Sequence, residues 1–264
     1  MPFTARFERL ELKFLVDDWT AERVRRQIEP YCAPDENSRA VARGRRGLAG
    51  YPIDSLYLDS PALAFHEAKE RGDPDRVKLR VRTYGADSPG TLEVKRRRSN
   101  IIDKTRAVVG RESVEAAACG RLESLPCRPT EAKFLLDFNR VLITSGAAPT
   151  LTVRYEREAY ESVVDAYARV TFDRNIRARR TEDWALNPDT RDWCEFDNYW
   201  GAIHASPPAV MEIKCDSLIP GWVSDLVQRN ELLQTGFSKY SIGIELTNRE
   251  MGRFTRSNSV EALQ

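Results

Sequence analysis

The sequence predicts an α+β fold in which amphipathic helices pack on an antiparallel sheet. Three observations carry this. Charged and apolar residues alternate in several short segments, the period of a strand with two unlike faces. Stretches of helical period fall between those segments. No Pro/Ser-rich linker separates two cores, so residues 1–248 are expected to form one domain and residues 249–264 a polar, frayed tail.

The first strand is Arg9-Leu10-Glu11-Leu12-Lys13-Phe14-Leu15. A helix opens near Asp18, with Asp or Thr as its cap, and runs toward Pro30. Asn37 to Gly50 is rich in Arg and Gly, lacks periodicity and reads as a mobile basic loop. Ser55 to Asp59 is a strand, and Pro61 to Arg71 a short helix ended by Gly72. Lys78 to Tyr84 and Thr91 to Lys95 form a hairpin around Gly85-Ala86-Asp87-Ser88-Pro89-Gly90. Helices are expected over Ser113 to Leu125 and Thr130 to Thr144, the second on the stripe Phe134, Leu135, Phe138, Val141, Leu142. Leu151 to Tyr155, Arg169 to Asp173 and Val210 to Lys214 are further strands. Pro220 to Thr235 is a last helix, with Pro in its first turn and Gly236 after its end.

Composition excludes several classes. The 264 residues carry 41 Lys+Arg against 40 Asp+Glu, a net charge of +1, which argues against a globally basic nucleic-acid binder. No apolar run approaches the roughly 18 residues that a membrane helix needs, and the N-terminus lacks a signal-peptide core, so a cytoplasmic location is expected. Cys32, Cys119, Cys127, Cys194 and Cys215 form no CxxC pair and read as reduced thiols. His66 and His204 are isolated, which leaves a Ser-His-Asp triad or a histidine metal site without support. Phosphate-binding GxxxxGK[ST], dinucleotide GxGxxG and nucleophile-elbow GxSxG patterns are absent. The aromatics Tyr57, Tyr84, Trp193, Trp200 and Trp222 read as packing residues.

The charged faces point to chemistry. Amphipathic helices need an apolar sheet face to cover, so the Lys, Arg and Glu residues must occupy the other face. Closed into a barrel, such a sheet encloses a cationic lumen, and buried charge requires a partner. Phosphate suits it: Arg forks match phosphate oxygens and Lys adds point charge. The few Glu residues repel phosphate unless they hold a divalent cation that bridges to it.

These segments resemble the catalytic domain of vacuolar transporter chaperone (VTC) polyphosphate polymerases, within the triphosphate tunnel metalloenzymes (CYTH-like). The matching residues are Leu12-Lys13-Phe14-Leu15-Val16, Ser55-Leu56-Tyr57-Leu58-Asp59, Lys78 to Gly85, Leu92-Glu93-Val94-Lys95, Tyr155 to Tyr160, Arg169 to Asp173, Met211-Glu212-Ile213-Lys214 and Phe237-Ser238-Lys239-Tyr240. They run in family order over roughly residues 6–245. The resemblance implies an eight-stranded antiparallel tunnel β-barrel with helices on its outside. It implies transfer of the γ-phosphate of ATP onto inorganic polyphosphate or pyrophosphate, with Mn²⁺ or Mg²⁺ as cofactor. It also leaves two alternatives, an inorganic triphosphatase of the same fold and a non-catalytic polyphosphate-binding module.

By the same resemblance, Arg80, Arg82, Lys95, Arg157, Arg169 and Lys239 are expected to grip the reacting phosphates. Lys13, Lys78, Lys104, Arg106 and Lys214 are expected to bind substrate, and Glu212, Glu93 and Glu11 to bind metal. The terminal phosphoryl group would lie between Arg80, Arg82, Arg157 and Arg169. Two departures matter. Hydrolytic relatives begin with ExExK, whereas this face reads Arg9, Glu11, Lys13, which favours the polymerase branch. Strict alternation sets Arg154 with Glu156 and opposite Arg157, so Arg154 and Arg157 are rivals for the substrate face. No nucleic acid is expected as a partner. A membrane partner, if export of product requires one, would be another chain.

Overall fold

Alternation becomes architecture in a computed structural model that describes residues 9–42, 50–99, 101–121, 129–188, 191–197, 208–216 and 218–249. Ten strands form an antiparallel sheet: β1 (Arg9–Val16), β2 (Cys32–Pro34), β3 (Tyr51–Asp59), β4 (Asp75–Thr83), β5 (Gly90–Arg98), β6 (Ile101–Val109), β7 (Ala148–Ser162), β8 (Ala168–Arg180), β9 (Cys194–Glu195) and β10 (Ala209–Asp216). Eight of them follow the order β1-β10-β8-β7-β3-β4-β5-β6, while β2 pairs with β7 and β9 with β8. No ladder joins β1 to β6 among the described residues. Seven helices accompany the strands among the described residues: α1 (Asp18–Ile28), α2 (Glu36–Ala42), α3 (Ala64–Glu70), α4 (Val114–Ala118), α5 (Pro129–Ser145), α6 (Gly221–Arg229) and α7 (residues 239–249).

The chain divides into two units. The first comprises residues 1–51, 155–176 and 197–237, the second residues 52–154, 177–196 and 238–264. In the first, Phe14 and Val16 of β1, Met211 and Ile213 of β10, and Val170 and Phe172 of β8 share one buried face. Ala21, Val24 and Ile28 of α1 and Val223 and Leu226 of α6 cover it. The period of two puts Glu11, Lys13, Arg169, Thr171, Asp173, Glu212 and Lys214 on the other face.

The second unit repeats the arrangement. Leu56, Leu58, Leu79, Val81, Leu92, Val94 and Ala107 line one face of β3 to β6. Val114 and Ala117 of α4 and Leu135 and Phe138 of α5 pack on it. Arg96 fixes α5 by donating to both oxygens of Asp137, at 2.7 and 2.9 Å. The opposite face presents Ser55, Tyr57, Lys78, Arg80, Arg82, Thr91, Glu93, Lys95, Lys104 and Arg106.

Several boundaries differ from expectation. The stretch read as a loop from Asn37 begins as α2, because Asp35 caps it by accepting from Ser38 N at 2.8 Å. Residues 43–49, and the tail from 250 onward, lie outside the described residues. The helix expected to reach Leu125 stops at Ala118, where Cys119 N–H closes the last turn and Gly120 takes φ +78°. α6 ends at Arg229 rather than Thr235. The Asn230 amide donates to Leu226 O and to Gln27, and Glu231 turns to φ +49°. β6 and α7 were not expected. α7 approaches β7 and β8 closely through Gly243, where a Cβ would meet Leu151 Cδ2 at 2.7 Å and Ala178 Cβ at 3.0 Å.

Candidate functional site

In the second unit, adjacent strands stack their cations in cross-strand rows. Tyr57, Arg80, Glu93 and Arg106 are register partners across β3 to β6, and Lys78, Lys95 and Lys104 form the next row. Ser55, Arg82 and Thr91 form the row on the other side. Six cations thus surround the single carboxylate of Glu93 on these rows. Glu93 is 2% exposed. One of its oxygens accepts from Arg80 Nε at 2.6 Å, the other lies 2.5 Å from Lys104 Nζ. Burial raises its pKa, but Arg80, Arg82 and Lys104 outweigh burial and hold it well below the usual carboxylate range. Both oxygens being engaged by cations, Glu93 serves this face as a fixed counter-ion.

Tyr57 reports the surplus of positive charge. Its ring stacks on Tyr240 at 4.9 Å, and Arg80 Nη1 donates to its hydroxyl at 3.4 Å. Burial raises the phenol, yet Arg80, Arg82 and Lys78 together bring it down to about 8. Its neighbour behaves oppositely: burial and the Asp59 carboxylate push Tyr240 far up, and its hydroxyl donates to Asp59 at 2.7 Å. That bond ties the start of α7 to β3, next to Ser238, whose hydroxyl receives Lys78 at 3.5 Å. Lys95 and Lys239 are half-buried, and Arg106 is exposed.

The lowered Tyr57 phenol gives a sign that can be tested. Tyrosinate repels an anion, so the affinity of this face for a polyanionic probe such as inorganic triphosphate should fall as pH rises from 7 to 9, through the Tyr57 pKa of about 8. Calorimetric titration should show that fall in wild type and a flatter profile in Tyr57→Phe. Identical profiles would mean that no anion binds beside Tyr57.

The first unit carries a second cluster. Glu212 Oε2 lies 3.0 Å from Lys214 Nζ and 4.0 Å from Arg157 Nη2, and Oε1 lies 3.9 Å from Lys13 Nζ. Lys13 also contacts Glu11 at 2.8 Å and donates to Phe237 O at 3.2 Å. Arg157 is buried and grips Asp173 with two bonds, at 2.7 and 2.8 Å. Burial lowers the Arg157 pKa, but Asp173 and its neighbours raise it well above its ordinary value. Arg169 donates to Asp35 at 2.7 Å and to Glu161 at 3.1 Å, with Tyr51 also on Asp35.

Arg157 therefore joins Glu212, Lys13 and Lys214 in one cluster. Arg154 belongs to the second unit and donates to Asp54 at 2.6 Å, with its guanidinium over Trp193 at 4.9 Å. Three partners escaped sequence reasoning: Asp173, Asp35 and Asp59. Their partners are distant in the chain, and only the contacts disclose what each holds.

No group of three or more His, Cys, Asp or Glu gathers as a preformed metal site among the described residues. The chemistry of the donor set fits a different mode. Glu212 and Glu11 flank Lys13, and a hard divalent cation carried on a triphosphate needs only one or two protein carboxylates. Glu212 and Glu11 would be the residues to hold such an ion, with Lys13 and Lys214 beside them for phosphate oxygens. Glu93, held between Arg80 and Lys104, is the least available of the three acids expected to bind metal.

Solved structures that match include PH1819 from Pyrococcus horikoshii OT3, at 11% identity over 90% of this chain and 98% of that one, with a TM-score of 0.45. A putative adenylate cyclase from Bacillus halodurans matches at 12% identity over 88% and 95%, with a TM-score of 0.45. A putative adenylyl cyclase from Hippeastrum, described as having a dominant triphosphatase activity, matches at 13% over 90% and 95%, with a TM-score of 0.44. Comparison with curated proteins finds no match. The VTC-domain family model matches residues 8–248, so the chain belongs to the VTC-domain family.

Proposed function

We propose that this protein is a phosphotransferase that moves the γ-phosphate of ATP onto a growing inorganic polyphosphate chain. The observation that carries this reading is the concentration of Lys78, Arg80, Arg82, Lys95, Lys104 and Arg106 around one carboxylate, on the sheet face that α4 and α5 do not cover. Such a face binds polyanions, and membership of the VTC-domain family makes triphosphates the class to test first.

Each residue then has a task. Arg80 and Arg82 clamp phosphate oxygens, with Lys78, Lys95, Lys104, Arg106 and Lys239 adding charge. In the first unit Lys13, Lys214 and Arg157 bind phosphate, and Arg169 adds a guanidinium that it now shares with Asp35. Glu212, assisted by Glu11, would hold Mn²⁺ or Mg²⁺, which when bound would supply neutralising charge for phosphate oxygens. The acceptor is a terminal phosphate oxygen of polyphosphate or pyrophosphate, already ionised at neutral pH. No strong general base is needed, and His66 lies buried in α3. Catalysis rests on positioning and charge neutralisation. No helix among the described residues is long and apolar enough to cross a membrane.

The test is a product assay. Incubation with ATP and Mn²⁺, with pyrophosphate as primer, should yield polyphosphate ladders on a gel. Orthophosphate alone would assign a triphosphatase, and unchanged ATP a binding module.

A further inference from the structure

Among the residues facing Glu212, Thr171 stands apart. It is the direct register partner of Glu212 on β8 and is 2% exposed. Its neighbours on the same face of that strand are both engaged, Arg169 with Asp35 and Asp173 with Arg157. The Thr171 hydroxyl alone has no hydrogen-bond partner. Valine has nearly the same shape and would fill this place without burying an unused donor, so packing does not account for the hydroxyl.

The surroundings of Glu212 suggest where the hydroxyl is used. The carboxylate is now steadied by Lys214 at 3.0 Å and more loosely by Lys13 and Arg157. Lys13 and Lys214 are partly exposed and are the cations that an arriving phosphate takes first. Glu212 then loses its nearest partner at the moment when it must hold a metal ion. A side chain directly across an antiparallel ladder lies within about 5.5 Å at Cβ, which a hydroxyl and a carboxylate can bridge.

We propose that Thr171 is a positioning residue, whose hydroxyl donates to the Glu212 carboxylate in the liganded state and aims it at the metal ion. This rests on the reading of Glu212 given under the proposed function. The hydroxyl that is unsatisfied in the free protein becomes satisfied in the complex.

Calorimetry with adenylyl imidodiphosphate, which does not turn over, tests the idea in the presence and absence of Mn²⁺. Thr171→Val should bind the Mn²⁺ complex about tenfold more weakly than wild type, the loss expected for one hydrogen bond to a charged group. Its affinity for the metal-free analogue should not change, and Thr171→Ser should restore the Mn²⁺-dependent gain. The melting temperature of free Thr171→Val should equal or exceed that of wild type, because an unpaired buried hydroxyl has been removed. A purely structural threonine would lower stability and leave the metal dependence alone. Thr171→Ala serves if the valine variant does not fold. Wild-type affinity of the valine or alanine variant for the Mn²⁺ complex would overturn the proposal, as would equal weakening with and without metal. Wild type that binds neither form would overturn the phosphotransferase reading itself, and this inference with it.

Discussion

Glu212→Gln should lower metal-supported turnover by about 10²- to 10³-fold, the scale of losing one preorganised electrostatic contact to the transferred group. The fold should survive. The amide keeps the size of the carboxylate, and the cations it leaves behind, Lys13 and Lys214, are partly exposed and can turn to water. The measurement is the initial rate of ATP consumption across a Mn²⁺ titration, beside a thermal melt. Loss of the metal response with an unchanged melt supports the assignment. A variant as active as wild type over the whole titration would remove Glu212 from the metal site.

Arg157→Ala should instead act on stability. Asp173 is 0% exposed, and Arg157 donates to both of its oxygens. Removing one partner of such a buried pair costs about 3–5 kcal/mol. For a chain of this length that corresponds to a melting temperature lower by roughly 10 °C. Arg157→Lys should fall between, because one ammonium cannot reproduce the two-pronged bond. Pairing Arg157→Met with Asp173→Asn should recover much of the loss. If Arg157→Ala melts like wild type, the pair is not structural. The practical point is that inactivity of an Arg157 variant cannot be assigned to catalysis until its melt is known.

The strands and their faces were legible because their period is simple. Met211 to Lys214 alternates without interruption, and β10 places Met211 and Ile213 under α1 and α6 with Glu212 on the opposite side. β6 was less legible. Ile101, Ile102 and Asp103 break the alternation at its start, so Lys104 and Arg106 were assigned by resemblance rather than as a strand. The rivalry of Arg154 and Arg157 was also beyond the sequence. Each is an arginine on the same strand, and only Asp54 and Asp173, distant in the chain, tell them apart. The ionic surroundings of Glu93 were hidden for the same reason. Its proximity to Arg80 and Lys104 depends on strand pairing, which one-dimensional spacing does not encode.

The strict separation of greasy and ionic sides has a consequence for how this chain can change in length. Deleting one residue within β10 would swing Met211 and Ile213 among the lysines and force the Glu212 carboxylate beneath helices, since a shift by one exchanges every side chain. Such a strand can exchange letters but cannot gain or lose one. The turn from Tyr84 to Pro89 carries no such obligation, so insertions and deletions in relatives should accumulate there.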